Sequence, residues 1–258
     1  DYAKEKEMKL GIMQPYFLPY IGYWQLLNAV DAYVILDDVN YIGRGWINRN
    51  RILIHGEPAY LNLPVSKASQ NRKINELQVN WDEKERLRAK RKVELAYKRA
   101  PYFDSVYPLF CGIVDDEQRN LSEYLTDSIR KICEYLEIET PILLSSELEK
   151  DHSRKGQERI LDICDHLGAS EYYNAIGGQA LYSGSRFQEH KIQLGFVETG
   201  VIEYEQFGSV FVPGLSILDV MMFNPVKRIQ EFLGEYVIVP GREETEEENE
   251  SNIERSAE

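Results

Sequence analysis

The sequence predicts an α/β fold: a mostly parallel sheet with helices on both faces, and a helical section in the middle of the chain. Three observations carry that expectation. Residues 10–36 read as strand, loop, helix, strand: Leu10 to Met13 is a short apolar run, Gly22-Tyr23 opens an apolar helical pattern ending near Ala29, and Ala32 to Leu36 is a second apolar run stopped by Asp37-Asp38. From Pro141 onward short apolar runs alternate with helical periodicity, the pattern of parallel strands joined by crossover helices. Between the two, Asn120 to Leu136 sets Leu121, Tyr124, Leu125, Ile129, Ile132, Cys133 and Leu136 at three-and-four spacing, one apolar helix face.

A chain of 258 residues, 43% hydrophobic, can bury a sizeable core as one compact domain or two closely packed ones. The expected divisions are an N-terminal α/β segment at 9–80, a helical segment at 81–140 and a C-terminal α/β segment at 141–240, with 241–258 a disordered acidic tail. That tail holds eight Glu against two Arg, so much of the net charge of −13 is local to it; the body is still acidic, which argues against broad nucleic-acid binding. No apolar run approaches the ~20 residues of a membrane span, and the charged start DYAKEKEMKL does not suit a signal peptide, so a cytoplasmic location is expected. Cys111, Cys133 and Cys164 lie at apolar helix positions and read as core residues. The sequence lacks the HxxxH, CxxC, HExxH and GxSxG spacings, a Walker loop and GxGxxG, so no metal site is expected, and the cofactor and the oligomeric state are left open.

In chain order, residues 1–8 read as a solvated lead-in. A hairpin of Arg51 to Ile54 and Ala59 to Leu63 follows the opening unit, and Ile74 to Val79 reads as another short strand. Asp82 can cap a helix running to Pro101 with Leu87, Val93, Leu95 and Tyr97 as its buried stripe, and a short helix spans Val106 to Val114. The last third gives a strand at Pro141 to Leu144, a helix from Lys155 to Leu167 closed by Gly168, a strand at Glu171 to Asn174, a turn at Gly177-Gly178, a helix at Ser185 to His190 and a strand at Ile192 to Phe196. A strand-like stretch from Tyr204, a break at Pro213-Gly214, and helices at Ser216 to Phe223 and Val226 to Leu233 complete the folded part.

In open α/β sheets the loops at strand C-termini take ligands, and polar residues gather there. Gln14, Tyr16, Tyr20 and Tyr23 put an amide and phenols in the opening loop, suited to orienting a sugar or a base. Pro15 and Pro19 fix its backbone, and Gly22 lets a ligand come close; the same aromatics could instead cover a sheet end. Asp38, beside Asp37, could act as an acid or base or pair with Arg44 or Arg49, and adjacent strand residues face opposite ways, so at most one of the two acids enters a pocket. Arg44, Asn48, Arg49 and Arg51 around Trp46 form the best anion site, since guanidinium forks match phosphate; Arg49 and Arg51 share a strand face and would clamp one, unless this is a solvated basic turn with Trp46 in the core. Ser146 and Asn174 follow strands, and His152, in a polar loop, is a second acid/base candidate. Ser216 reads as a helix cap and Asp219 as a first-turn carboxylate.

Together these segments resemble the bacterial WbqC-like protein family. The resemblance is carried by Ile12-Met13-Gln14-Pro15-Tyr16-Phe17-Leu18-Pro19-Tyr20-Ile21-Gly22-Tyr23, Asp37-Asp38-Val39 with Arg44 to Arg51, Ala100-Pro101-Tyr102-Phe103, Ser145-Ser146 and Val212 to Asp219. It implies a cytoplasmic enzyme or accessory protein associated with surface-polysaccharide biosynthesis. On that reading the chain is a transferase moving an acyl or aminoacyl group onto an activated amino sugar, with a phosphorylated or nucleotide-linked small molecule as its partner. The alternative is a non-catalytic nucleotide- or sugar-binding accessory protein. The opening β-loop-α-β unit is also nucleotidylyltransferase-like: Tyr20-Ile21-Gly22-Tyr23 stands where the HIGH motif of those enzymes would, which implies a third reading. Both histidine positions are tyrosine, and a phenol of pKa near ~10 is a neutral donor where imidazolium would be charged.

Overall fold

The computed structural model describes residues 7–208 and 210–242. The opening unit is β1 (Lys9–Met13), α1 (Ile21–Asn28) and β2 (Ala32–Ile35). A long excursion follows: the hairpin β3 (Arg49–Ile54) and β4 (Glu57–Asn62), the short pair β5 (Val65–Ser66) and β6 (Gln78–Val79), then α2 (Glu83–Tyr97), α3 (Phe103–Val114) and α4 (Leu121–Leu136). The chain returns through β7 (Ile142–Leu144), α5 (Gly156–Leu167), β8 (Glu171–Ala175), α6 (Gly184–Glu189), β9 (Gln193–Thr199), α7 (Ile217–Phe223), α8 (Val226–Leu233) and β10 (Tyr236–Pro240).

Strands of the opening unit and of the last third share one sheet, in the order β10-β9-β8-β1-β2-β7. All its pairings are parallel except that of β10 with β9. From β1 the chain steps outward to β2 and β7, then crosses back to β8 on the other side of β1 and outward to β9. Right-handed crossovers taken in opposite directions must cover opposite faces. Side chains alternate accordingly: Tyr33 and Ile35 join the core of α1, α4 and α8, whereas Val34 joins Ile160 and Cys164 of α5 and Phe187 of α6. The direction of winding reverses between β1 and β8, so the loops leaving their C-terminal ends diverge and leave a crevice there. No helix among the described residues is long and apolar enough to cross a membrane.

Local chemistry sets the helix ends. Asp82 caps α2 by accepting from Glu85 N at 2.7 Å, and Gly168 ends α5 at φ 68°, where a Cβ would be strained. Several expectations are corrected. Ile74 and Leu77 are both buried, a three-residue spacing, and residues 74–76 form a 3-10 helix, leaving only Gln78–Val79 as strand. Leu87 and Leu95 of α2 are 46% and 67% exposed; its buried face is Ala89, Val93, Ala96 and Tyr97, because small side chains let the helix lie close to its neighbours. Gly177-Gly178 lies inside a 3-10 helix, Ile176–Leu181, and no strand forms at Tyr204. An edge strand forms at Tyr236–Pro240, and the ladder continues past it, since Gly241 N donates to Leu194 O at 3.0 Å. The remainder of the expected tail, 243–258, and residues 1–6 of the lead-in lie outside the described residues.

Both acids at the end of β2 are buried. Asp37 accepts from Ser146 N (2.9 Å), Ser146 Oγ (2.7 Å) and Ser122 Oγ (3.0 Å). Asp38 meets Lys150 Nζ at 2.9 Å and accepts from Ser145 Oγ at 2.8 Å, with Arg159 Nη1 3.8 Å away. Burial pushes the Asp38 carboxyl up, but the Lys150 and Ser145 hydrogen bonds and the charges of Lys150 and Arg159 outweigh it and hold its pKa below the ordinary value. A depressed carboxyl contributes stability that is complete above its unfolded pKa, about 3.9, and is lost as pH falls through the folded value. Replacing Lys150 with Met therefore leaves a buried charge short of its partner, with an expected loss of about 3–5 kcal/mol in urea unfolding at neutral pH. The loss should shrink in acid, where Asp38 is protonated; a loss independent of pH would contradict the pairing.

Candidate functional site

A cavity of about 400 Å³ opens at the reversal between β1 and β8. The loop after β1 contributes Gln14, Tyr16 and Tyr20, the turn before β3 contributes Ile42 and Trp46, and β8 with its following turn contributes Asn174, Gly178 and Tyr182. None of its described lining residues is charged.

The opening loop is strapped from several sides. Phe17 N donates to Trp46 O (3.0 Å), Asn50 Nδ2 to Phe17 O (3.2 Å), Ser216 Oγ to Leu18 O (2.7 Å), Trp24 Nε1 to Pro19 O (3.0 Å) and Ile217 N to Pro19 O (2.9 Å). These contacts hold Leu18 at φ 47°, a left-handed conformation that costs a side-chain-bearing residue about 1–2 kcal/mol. The loop is thus built before any ligand arrives.

At the base of the cavity Asn174 is buried; its Nδ2 donates to Tyr172 Oη (2.7 Å) and Tyr182 Oη (3.1 Å), and its Oδ1 accepts from Ala175 N (2.7 Å). A Cβ on Gly178 would come within 2.9 Å of Asn174 Oδ1, so glycine lets the turn close over the amide. Burial pushes the phenols of Tyr16, Tyr20 and Tyr182 up, which keeps them neutral and donating. Among the described residues nothing hydrogen-bonds the Gln14 side-chain amide or the Tyr16 and Tyr20 hydroxyls. This corner offers neutral donors and acceptors beside the indole of Trp46.

Of the sequence candidates, Gln14, Tyr16, Tyr20 and Asn174 meet in this cavity, and the others lie outside its lining. Tyr23 is buried and donates to Gln14 O at 3.0 Å, fixing the loop. Gly22 lies under Tyr20: a Cβ there would be 2.4 Å from Tyr20 Cε2 and 2.8 Å from Thr199 Oγ1. Asn48 is used by Tyr41 Oη (2.8 Å) and Leu63 O (3.1 Å), and Ser146 by Asp37. Arg49 donates to the carbonyls of Gly45 and Arg44 and lies 4.4 Å from the centre of the Tyr60 ring. The basic turn closes on itself, with Arg44 at φ 60°. Arg51 lies 5.5 Å over the Trp46 ring, with Nη2 donating to Gly214 O at 3.0 Å and Nε buried without a hydrogen-bond partner among the described residues; such a donor costs about 1–3 kcal/mol. Neither acid/base candidate lines the cavity: Asp38 is committed to Lys150, which also replaces the expected pairing with Arg44 or Arg49, and His152 is exposed in the loop before α5.

Sequence reasoning placed Trp46 among the arginines without giving it the cavity wall, and it missed Ile42 and Leu181. These side chains are 39%, 51% and 71% exposed, and their cluster at one rim becomes visible only when two distant loops meet.

Fold and cavity define a doubly wound α/β protein with a neutral crevice at its strand-order reversal. The chain belongs to the WbqC-like protein family, whose sequence profile matches residues 14–231. It is 30% identical over 221 residues, covering 84% of this chain and 93% of the relative, to Uncharacterized protein Rv1507c of Mycobacterium tuberculosis. No solved structure matches the chain.

Gly22→Ala is expected to lose about 1–3 kcal/mol in denaturant unfolding, the usual range for overpacking. With Tyr20→Ala present the loss should fall, since one of the two obstructions is gone. Equal losses in both backgrounds would show that the Tyr20 ring does not rest on Gly22.

Proposed function

We propose that the chain is a transferase that holds the ring of an activated, nucleotide-linked amino sugar in the crevice between β1 and β8, where the sugar amine receives an acyl or aminoacyl group during assembly of a surface glycan. The lining carries this reading: amide, phenol and indole groups, none of them charged, around a space of about 400 Å³. Free hydroxyls and an amide match the hydroxyl edge of a sugar, and Trp46 matches its C–H face. The glycan context and the acyl chemistry come from the family resemblance.

Such a lining suits a reaction in which the substrate supplies the nucleophile. The amine lone pair forms a bond to the carbonyl carbon of an activated acyl donor, such as a thioester. The bond from that carbon to the leaving group breaks with its electrons on the leaving group, which takes up the amine proton directly or through water. Placement is the protein's share, and well-oriented reactants save up to about 7–11 kcal/mol of barrier. A non-catalytic sugar-binding role is the second reading, favoured by the position of Asp38 and His152 outside the crevice. Nucleotidylyl transfer has less support, because the Tyr23 hydroxyl is spent on Gln14 O and the Tyr20 ring covers Gly22.

Calorimetric titration of the chain with uridine- and thymidine-diphosphate sugars tests the reading. At least one should bind, and Gln14→Leu and Tyr16→Phe should each weaken it about five- to tenfold, the worth of one hydrogen bond, with unfolding nearly unchanged. No binding, or binding indifferent to both variants, would contradict it. Mass spectrometry of the sugar after incubation with acyl thioesters then separates the transferase from the accessory protein.

A further inference from the structure

Tyr20 is a wall of two cavities. On its far side from the crevice lies a space of about 370 Å³ between the start of α1, the end of β9 and the segment before α7, walled by Ile202, Tyr204, Phe211 and Val220. Its walls are mainly apolar, as those of the crevice are, but it lacks the crevice's free amide, and Glu203 stands at the exposed rim, where it would repel an anion. The wall is anchored from behind, since Asp219 accepts from Tyr204 Oη (2.6 Å), Gln206 Nε2 (2.7 Å) and Tyr97 Oη (2.8 Å), which ties the segment to α7 and α2. Arg51 touches one wall of each space. Its guanidinium lies over Trp46, a wall of the crevice, and its Nη2 donates to the carbonyl of Gly214, which lines the second cavity. Its Nε lacks an acceptor among the described residues.

We propose that the two spaces form one bipartite site. An apolar group joined to the ring ligand, an acyl chain or an aromatic ring, passes Tyr20 into the second cavity, and an anionic or carbonyl oxygen at the join accepts a hydrogen bond from Arg51. This rests on the ring reading of the crevice and specifies it: the group brought to the sugar is apolar, and Arg51 recognises its polar link.

The probe is anilinonaphthalene sulfonate, an apolar bicycle with one anionic group, titrated by fluorescence into the full chain. Ile202→Trp, which fills the second cavity, Phe211→Ala, which removes a wall, and Arg51→Gln should each weaken it about tenfold, whereas His152→Ala, exposed and in the lining of neither cavity, should leave it unchanged. Nitrophenyl N-acetylglucosaminide should displace the probe, and the methyl glycoside should not. The use of both a filling and an emptying variant keeps the test standing where one of them fails to fold. Probe binding indifferent to Ile202→Trp and Phe211→Ala, or displacement by neither glycoside, overturns the bipartite site. Should nucleotide sugars bind in a Gln14-dependent way while the probe ignores the cavity variants, the second compartment falls and the ring reading stands. Cavity-dependent probe binding in a chain that binds no sugar overturns the ring reading and the join with it.

Discussion

Handedness is the constraint on which the rest depends. A chain that winds outward from β1 through β2 to β7 and then back through β8 to β9 can keep right-handed crossovers only by changing faces, and the change falls between β1 and β8. The divergence of loops at that point is a consequence of topology, and the crevice exists before any side chain is chosen. What the sequence adds is its lining. Gln14 follows β1 directly and Asn174 lies near the end of β8, so two amides face one space because two parallel strands end side by side.

Rigidity comes from backbone carbonyls. Those of Phe17, Leu18 and Pro19 are each held by a group from elsewhere in the chain, and the donors Asn50, Ser216 and Ile217 lie 33 or more residues away from the loop. A loop held this way has already lost its conformational entropy, so a ligand need not supply the ordering. The acids of β2 do the same for the neighbouring strand end. Asp37 and Asp38 bind the start of the segment after β7 and bring Lys150 and Arg159 in behind it, a fastening that weakens in acid. Asp219 behaves in the opposite sense: its contacts are neutral donors, burial dominates, and its carboxyl is held above the ordinary range, so what it contributes below its unfolded pKa is lost as pH rises through its folded value.

Much of the fold was legible because strands buried on both faces read as apolar runs and amphipathic helices announce themselves by period. The boundaries of β1, α1, α4 and α5 were read to within a residue or two. Illegible were features decided by neighbours: the close face of α2, built on Ala89 and Ala96, and the edge strand β10, whose Tyr236 to Pro240 needed β9 beside it. The site divides in the same way. Gln14, Tyr16, Tyr20 and Asn174 were picked because strand ends are where ligands sit, and they line one cavity. Arg49, Asn48 and Ser146 carry the same polar signal but spend it on nearby carbonyls, a hydroxyl and a carboxylate, which composition does not distinguish from readiness for a ligand.

The central claim, that a sugar ring occupies the crevice between β1 and β8, can be read from methyl groups. The chain holds 4 Met, and of these Met13 lines the crevice whereas Met221 and Met222 are buried in α7. Carbon-13 methyl labelling of methionine, with nucleotide sugar added stepwise, should shift the Met13 resonance and leave Met221 and Met222 in place. Saturation of binding with Met13 unmoved would put the ligand elsewhere and contradict the account.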